Sequence, residues 1–208
     1  MAFTEATTTL NIAVLPTFAT RWLVPRLPTF VDAHPDITLN FSARLEPFDF
    51  ESEMFDAAIH YGAPTWASAH CHHLMNEITV VVTSPEYRAA RRLRQPEDLE
   101  RATLLHQTTR ATAWADWCDV ARIDLPGVNR GPRYEQFAMI AQAAAAGLGA
   151  AILPKVLIED ELTSGRLVTL FENQPLSLKA YYWVVPENRG ASEGLRAFTN
   201  WIIAQAHS

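Results

Sequence analysis

Cysteine and histidine, the usual ligands of zinc, cluster once in this sequence. The stretch AHCHHLM (69–75) holds Cys71, His72 and His73 in a row. Neighbouring side chains point in different directions on a strand or a helix, so these three cannot converge on one ion. Structural zinc sites use spaced pairs of ligands instead. We therefore predict that no metal binds here, and that His70 and Cys71 lie in an exposed loop.

Glycines offer a second kind of chemistry, because glycine-rich turns can hold phosphate groups. The stretch AMIAQAAAAGLGAAILP (138–154) contains Gly147 and Gly149. In a dinucleotide-binding fold such glycines follow a strand and open a helix, whose N-terminus meets the phosphates. Here an alanine-rich helix comes first, and the C-terminal end of a helix repels anions. The order predicts a structural role, in which Gly147 ends the helix in a left-handed conformation and Gly149 permits a tight turn into a strand.

Catalytic motifs are missing from the sequence. It contains no G-x-S-x-G, no H-E-x-x-H and no P-loop pattern. A Ser-His-Asp site needs no local motif, so an enzyme stays open as a minor alternative. We predict a protein that is not an enzyme and that uses no cofactor.

Composition and charge indicate an ordinary globular protein that does not bind DNA by itself. The 208 residues carry a net charge of −6, whereas nucleic-acid binders usually show a basic face. No apolar run is long enough to span a membrane, and the start MAFTEATTTL does not resemble a secretory signal. Two cysteines, Cys71 and Cys118, form no disulfide pattern and suggest reduced thiols in the cytoplasm. Four arginines are predicted on a solvated helix face: Arg88, Arg91, Arg92 and Arg94.

The elements that must position any site alternate between strands and helices, which predicts parallel sheets covered by helices. Thr17 is suited to cap a helix that follows the first strand, and two prolines predict that this helix restarts near Pro25. Strands are predicted at 9–15, 36–43, 57–62, 74–83 and 103–108, and helices at 95–102, 112–121 and 157–165, with a further helix at the C-terminus.

Several of these segments, taken in order, resemble a known family. LVPRLPTFVDAHPDITL (23–39) is similar to the signature L-x-P-x-L-x-x-F-x-x-x-x-P-x-I-x-L, and FDAAIHYG (55–62) is similar to L-D-x-A-I-R-x-G. VVVTSPEY (80–87), PEDL (96–99) and the region from AAAAGLGAAILP to LTSGRLVTLF (143–171) fit later blocks. Together they resemble the effector-binding domain of LysR-type transcriptional regulators, in the branch that contains the glycine-cleavage activator and AmpR.

This resemblance implies an α/β fold of the periplasmic binding protein type 2, with two Rossmann-like subdomains joined by two crossover strands. Subdomain I is expected at 8–82 plus 186–208, and subdomain II at 83–185. The crossovers are expected at Val80–Ser84 and Tyr182–Pro186. The family's N-terminal winged helix-turn-helix domain is expected to be absent from this chain, so that DNA is bound only through that missing part.

The resemblance also implies a small-molecule effector in the cleft between the subdomains, beyond the carboxyl ends of the strands. The first helical turn after strand one can offer N–H groups to a carboxylate. Glu135 stands where the branch often has Asp-Ser, and a glutamate would repel an anionic effector. The predicted effector-binding residues are Thr17, Phe18, His60, Tyr61, His106, Gln107, Tyr134, Glu135 and Tyr182.

Structural roles compete with these assignments. Thr17 could be only a helix cap, His60 a hydrogen-bonded structural histidine, and Tyr182 part of the core. The resemblance further implies hinge closure of the subdomains on the effector, a homodimer through the regulatory domains, and a tetramer of the full-length protein. We expect a cytoplasmic protein that does not bind membranes. A periplasmic-type solute receptor of a transporter is the alternative, and it would need an export signal.

Overall fold

Two compact units make up the chain in the computed structural model, which describes residues 8–171, 176–188 and 192–207. Unit 1 comprises Met1–Asn76 and Leu178–Ser208, and unit 2 comprises Glu77–Ser177. The chain passes from one unit to the other twice, inside the long strands β4 (Ala69–Thr83) and β9 (Leu176–Pro186). Both passages lie earlier in the chain than the predicted crossovers. The N-terminal stretch that was predicted to lack a secretory signal falls largely outside the described ranges.

Among the described residues, five strands contribute to the sheet of unit 1, because the first half of β4 lies beside β9 in the strand order. Strand β1 (Thr8–Val14) pairs in parallel with β2 (Ile37–Ala43) along its whole length, and also with β3 (Ala57–Gly62). Strand β3 pairs antiparallel with β9 (Leu176–Pro186). Strand β1 has sheet neighbours on both sides, and its last three residues, Ile12 to Val14, are apolar and buried, as expected for a central parallel strand.

A helical run from Pro16 to Ala33 connects β1 to β2. It begins as α1 (Pro16–Phe18), passes through a π-turn (Ala19–Leu23) and a 3-10 turn (Val24–Arg26), and ends as α2 (Leu27–Ala33). The two prolines occupy first-turn positions of the 3-10 turn and of α2, where no backbone N–H is needed. The run therefore stays helical through the predicted restart near Pro25.

The prediction of an exposed loop at His70 and Cys71 is wrong. Strand β4 (Ala69–Thr83) begins at Ala69 and includes both residues. A long strand with solvent on part of both faces accepts polar side chains, so the polar stretch conceals the strand in the sequence. Among the described residues, no group of three or more His, Cys, Asp or Glu side chains could hold a metal ion.

The sheet of unit 2 is built on the second half of β4. There β4 pairs antiparallel with β7 (Ala150–Pro154) and with the short β8 (Val168–Thr169). Strand β7 pairs in parallel with β5 (Leu104–Gln107), which in turn pairs in parallel with β6 (Arg133–Tyr134). The carboxyl ends of β5 and β6 therefore lie side by side at one edge.

Helices cover the sheet of unit 2. The last helix, α7 (Glu193–Ala206), belongs to unit 1. Trp114 and Trp117 of α4 are buried in an aliphatic and aromatic core cluster. Within the described ranges, no helix has the length and apolarity needed to cross a membrane. The helices are α3 (Pro85–Arg91), a 3-10 helix (Pro96–Arg101), α4 (Ala113–Ala121), α5 (Phe137–Ala145), α6 (Glu159–Thr163) and α7 (Glu193–Ala206).

The glycines after α5 have the structural roles predicted for them. Gly147 adopts a left-handed φ of 77°. Its N–H donates to the carbonyl of Ala144, and the N–H of Leu148 donates to the carbonyl of Ala143, which is the Schellman pattern. At Gly149 an added β-carbon would lie 2.3 Å from the carbonyl oxygen of Thr103. Gly149 is therefore needed for close approach to β5, and neither glycine is placed to bind phosphate.

Candidate functional site

The carboxyl end of β1 leads directly into α1, which carries the first two predicted site residues. The helix is capped by the backbone of Leu15 without a side-chain hydrogen bond, so the prediction of Thr17 as the N-cap is wrong. Proline at the first helical position brings the start of the helix forward, and Thr17 becomes its second residue. Thr17 is buried, with 6% of its surface exposed. Phe18 lies in the core of unit 1, where its ring stacks on Tyr181 at a centroid distance of 4.6 Å.

A small pocket lies next to this turn, within unit 1. Its walls come from strands β1 and β3 and from the segments that follow β2 and β3. Its accessible volume is about 10 Å³, which is room for about one water molecule. Residues in its lining include Leu15, Arg44, Phe48, His60 and Trp66. The ring of His60 meets the ring of Trp66 edge to face at 5.2 Å, and Trp66 Nε1 donates to the carbonyl of Phe48.

The sequence analysis missed three members of this pocket: Arg44, Phe48 and Trp66. A guanidinium follows β2 directly, and it pairs with the exposed Glu53 at 2.9 Å. The only sequence signal for these residues is a cation directly after β2 and two aromatic residues in the stretches that connect the strands. These residues come together only when the chain segments between the strands fold back onto the strand ends.

His60 is held as a neutral imidazole. Burial lowers the pKa of His60, and a hydrogen bond with the backbone of Ala63 opposes that shift. Gly62 makes room for the ring, since a β-carbon there would lie 2.6 Å from His60 Nε2. The neighbouring Tyr61 packs its ring against Tyr181 at 5.1 Å. His60 therefore offers a neutral hydrogen-bonding group to the pocket.

Tyr182 is a core residue of unit 1. It lies on β9 opposite His60, has 8% of its surface exposed, and belongs to a buried cluster with Phe50 and Phe55. Its ring also meets His73 edge to face at 5.8 Å. This packing favours the structural alternative for Tyr182.

In unit 2, His106 and Gln107 lie at the carboxyl end of β5. His106 is 2% exposed, and its Nε2 lies 3.1 Å from the carbonyl oxygen of Arg130. A carbonyl can only accept, so Nε2 carries the hydrogen. Burial lowers the pKa of His106 and the nearby charge of Arg133 lowers it further, while the hydrogen bond to Arg130 opposes both. His106 is therefore a buried neutral donor that holds the chain before β6.

Gln107 organises the turn between β6 and α5. Its Nε2 donates to the carbonyl of Glu135 at 2.9 Å, and its Oε1 accepts from Thr109 Oγ1 at 2.7 Å. Tyr134 lies opposite Gln107 in register and is half-buried against the apolar core behind α5. The side chain of Glu135 is exposed. The structure thus brings Gln107, Tyr134 and Glu135 together on one edge of unit 2.

A buried ion pair near the same edge is a second feature that sequence reasoning missed. Glu77 on β4 is 1% exposed, and both of its carboxylate oxygens accept from Arg110, at 2.5 and 2.9 Å. The guanidinium of Arg110 also lies over the ring of Phe137, 4.6 Å from its centroid. No local pattern marks this pair, because its members are separated by 33 positions.

His106 is expected to make the fold less stable in acid. Its pKa in the folded chain lies below the ordinary value of about 6.5, so the unfolded chain binds the proton first as the pH falls. The contribution of neutral His106 to the free energy of unfolding is complete above about pH 6.5 and is lost as the pH falls below that value. Denaturant unfolding measures the free energy of unfolding at about pH 7.5 and at about pH 5.5. The decrease between the two pH values should be smaller for His106→Asn than for the wild type. An equal loss of unfolding free energy in His106→Asn and in the wild type would contradict the assignment.

Comparison with known proteins identifies the family of this chain and two of its relatives. The sequence profile of the family described as LysR substrate binding domain matches residues 4–207. The glycine cleavage system transcriptional activator of Escherichia coli K12 is 34% identical over 198 residues, which cover 95% of this chain and 65% of that protein. The HTH-type transcriptional activator AmpR of Rhodobacter capsulatus is 32% identical over 197 residues, covering 95% and 66%. The chain therefore spans about two thirds of the length of these relatives.

Solved structures agree with the sequence relatives. The effector domain of the regulator AmpR of Pseudomonas aeruginosa superposes with a TM-score of 0.85 at 29% identity, covering 96% of this chain and 95% of that one. The AmpR effector-binding domain of Citrobacter freundii also gives 0.85, at 27% identity and coverage of 96% and 98%. The resemblance predicted from the sequence and the predicted α/β fold class are confirmed.

Proposed function

Because the chain belongs to the LysR substrate-binding domain family, as the effector-binding domain of a transcriptional regulator, we propose that it senses a small molecule held by the strand-end residues of its units. The match of the family profile from residue 4 to residue 207 carries this conclusion. The relatives reported above regulate transcription, and none of them supports an enzyme or a transporter receptor.

The pocket of unit 1 supports a polar or aromatic effector of small size. Phe48 and Trp66 present ring surfaces, His60 presents a neutral imidazole, and Arg44 presents a guanidinium. One small polar group of an effector can reach the imidazole, while the rest of the effector lies outside the pocket. In unit 2 the exposed Glu135 favours effector groups that are neutral or positive, as the sequence suggested.

The proposed site residues in unit 1 are Thr17, His60 and Tyr61, with Arg44 added by the structure. Those in unit 2 are Gln107, Tyr134 and Glu135. Phe18, His106 and Tyr182 were also predicted to bind the effector. Their packing and hydrogen-bond contacts favour a supporting role, in which they fix the strand ends that carry the others.

A thermal-shift screen of small metabolites tests the function and the site together. A compound present at about 100 times its Kd stabilises the native chain by about 2.7 kcal/mol, which raises the Tm by about 5–10 °C. We expect Thr17→Val to abolish this shift, because it removes a hydroxyl from the first turn after β1 while keeping the side-chain volume. The shift on adding compound is compared, and not the Tm itself, since Thr17 is buried.

Thr20→Val is the matched control. Thr20 follows Thr17 in the same helical run and is exposed. Among the bonds described, its hydroxyl donates only to the carbonyl of Pro16. It should respond to the compound like the wild type. An undiminished shift in Thr17→Val would contradict the proposed site, and a metabolite library without any stabilising compound would contradict sensing itself.

Exposed apolar side chains support a homodimer through this domain. Unit 1 exposes Val24 and Val31 by 49% and 45%, and unit 2 exposes Met139 and Leu148 by 52% and 56%. Large apolar groups in water favour burial against a partner, and symmetric pairing of copies is the commonest outcome. Sedimentation equilibrium at micromolar concentration checks this proposal, and a purely monomeric chain would contradict it.

The activity of the whole regulator extends the proposal. Its relatives are longer, so DNA binding is assigned to sequence outside this chain. We propose that the effector biases hinge closure of the domain, and thereby the arrangement of the DNA-binding parts in a dimer or tetramer. The cytoplasm is the proposed location, since transcription occurs there in bacteria such as those of the relatives.

A further inference from the structure

An open groove runs beside α3 in unit 2, apart from all of the predicted site residues. Its accessible volume is about 510 Å³. Apolar groups form its floor and walls, and guanidinium groups form its rim. The apolar residues are Pro85, Ala89, Leu93 and Val168, and the rim residues are Arg88, Arg92 and Arg94.

The rim is fixed in place by its backbone. Arg92 ends α3 in a left-handed conformation with φ of 53°. The N–H of Arg92 donates to the carbonyl of Ala89, and that of Leu93 donates to the carbonyl of Arg88. The side chain of Arg101 donates to the carbonyls of Arg91 and Arg92. A non-glycine residue at such a position costs about 1 kcal/mol, so the chain keeps an arginine where glycine would fit better.

The rim guanidinium groups are exposed and free to take a carboxylate. Among the described residues, no acid pairs with Arg88, Arg92 or Arg94. The nearest acid in sequence, Asp98, is already used. Its carboxylate accepts from the backbone N–H of Arg94 and Gln95 and pairs with Arg101. The prediction that these arginines are exposed is confirmed, although α3 ends at Arg91.

We infer that this groove docks an acidic segment of a partner protein. Apolar side chains of that segment would pack on Ala89 and Val168, while its carboxylates pair with the guanidinium forks of Arg88, Arg92 and Arg94. Guanidinium and carboxylate match in a bidentate geometry. A nucleic acid fits less well, because an apolar floor offers nothing to phosphates and the net charge of −6 repels a long polyanion. The inference is independent of the effector proposal.

Fluorescence anisotropy tests the groove with a fluorescein-labelled peptide of alternating glutamate and leucine. The wild-type chain should bind this peptide more tightly than a peptide with serine in place of leucine, and more tightly than a short double-stranded DNA. In the double variant Arg88→Gln/Arg92→Gly the affinity should fall about tenfold, since each exposed charge contact contributes up to about 1 kcal/mol.

The chain offers a matched control at Arg122. It ends α4 in the same left-handed conformation, with φ of 56°, and lies outside the groove lining. Arg122→Gly should bind the glutamate–leucine peptide like the wild type. Both glycine substitutions should leave the Tm unchanged or raise it, because glycine adopts this conformation without strain. The Tm then reports folding, while the affinity for the peptide reports the contact in the groove.

Four results would overturn the inference. They are no binding of the glutamate–leucine peptide at millimolar concentration, equal binding of the serine peptide, tighter binding of the DNA, and an equal loss of affinity in Arg122→Gly. Equal binding of the serine peptide would reduce the groove to a simple anion site. Tighter binding of the DNA would make it a nucleic-acid surface.

Discussion

Replacing Gly149 by alanine is expected to lower the free energy of unfolding by about 3 kcal/mol. The added β-carbon would lie 2.3 Å from the carbonyl oxygen of Thr103 and 2.9 Å from Leu105 Cδ2. The carbonyl cannot move aside easily, because it accepts the N–H of Ala150 at 2.9 Å and sits at the start of β5. Denaturant unfolding followed by tryptophan fluorescence measures the change.

Gly165→Ala is the control for this substitution. Gly165 has a left-handed φ of 74°, and an added β-carbon there has no heavy atom within 4 Å. The substitution should therefore cost only the conformational penalty of about 1 kcal/mol. If Gly149→Ala were no more destabilising than Gly165→Ala, the close approach of the chain after α5 to β5 would be disproved.

Arg110→Met is expected to lower the free energy of unfolding by about 3–5 kcal/mol. It leaves the carboxylate of Glu77, which is 1% exposed, in the protein without the guanidinium that now neutralises it. The packing of the long side chain on Phe137 is largely kept by methionine, so the loss reports the charge. The same unfolding assay measures it.

Two companion variants separate burial of charge from loss of contact. The double variant Glu77→Gln/Arg110→Met removes the stranded charge and should recover more than half of the lost stability. Arg44→Met breaks the exposed pair with Glu53 and should cost less than about 1 kcal/mol. A double variant as unstable as Arg110→Met alone would show that the stranded carboxylate is not the cause.

Much of the fold could be predicted from the sequence because its signals are local. The alternation of strands and helices, the glycine ending α5 and the glycine before β7 depend on residues a few positions apart. The start of β4 could not be predicted, because Ala69 to His73 carry no apolar alternation. Their strand conformation depends on neighbours that come from elsewhere in the chain.

The candidate site was predictable only in part. Strand ends predicted where His60, His106 and Gln107 lie, since the last residues of parallel strands share an edge. Whether a side chain is free to meet a ligand depends on packing, which is why Phe18 and Tyr182 were predicted to bind and prove to be buried. The Glu77–Arg110 pair depends on a contact that periodicity does not report.

The discontinuity of unit 1 constrains how the chain can fold on the ribosome. Unit 2 is made from one uninterrupted stretch and emerges whole, whereas unit 1 needs both β1 to β3 and the much later β9 and α7. Until β9 has been synthesised, β3 has β1 on one side and an open edge on the other, the kind of edge that recruits foreign strands. Roughly a hundred further residues must be translated before β9 closes that edge. Premature termination between β3 and β9 therefore yields a chain prone to aggregation.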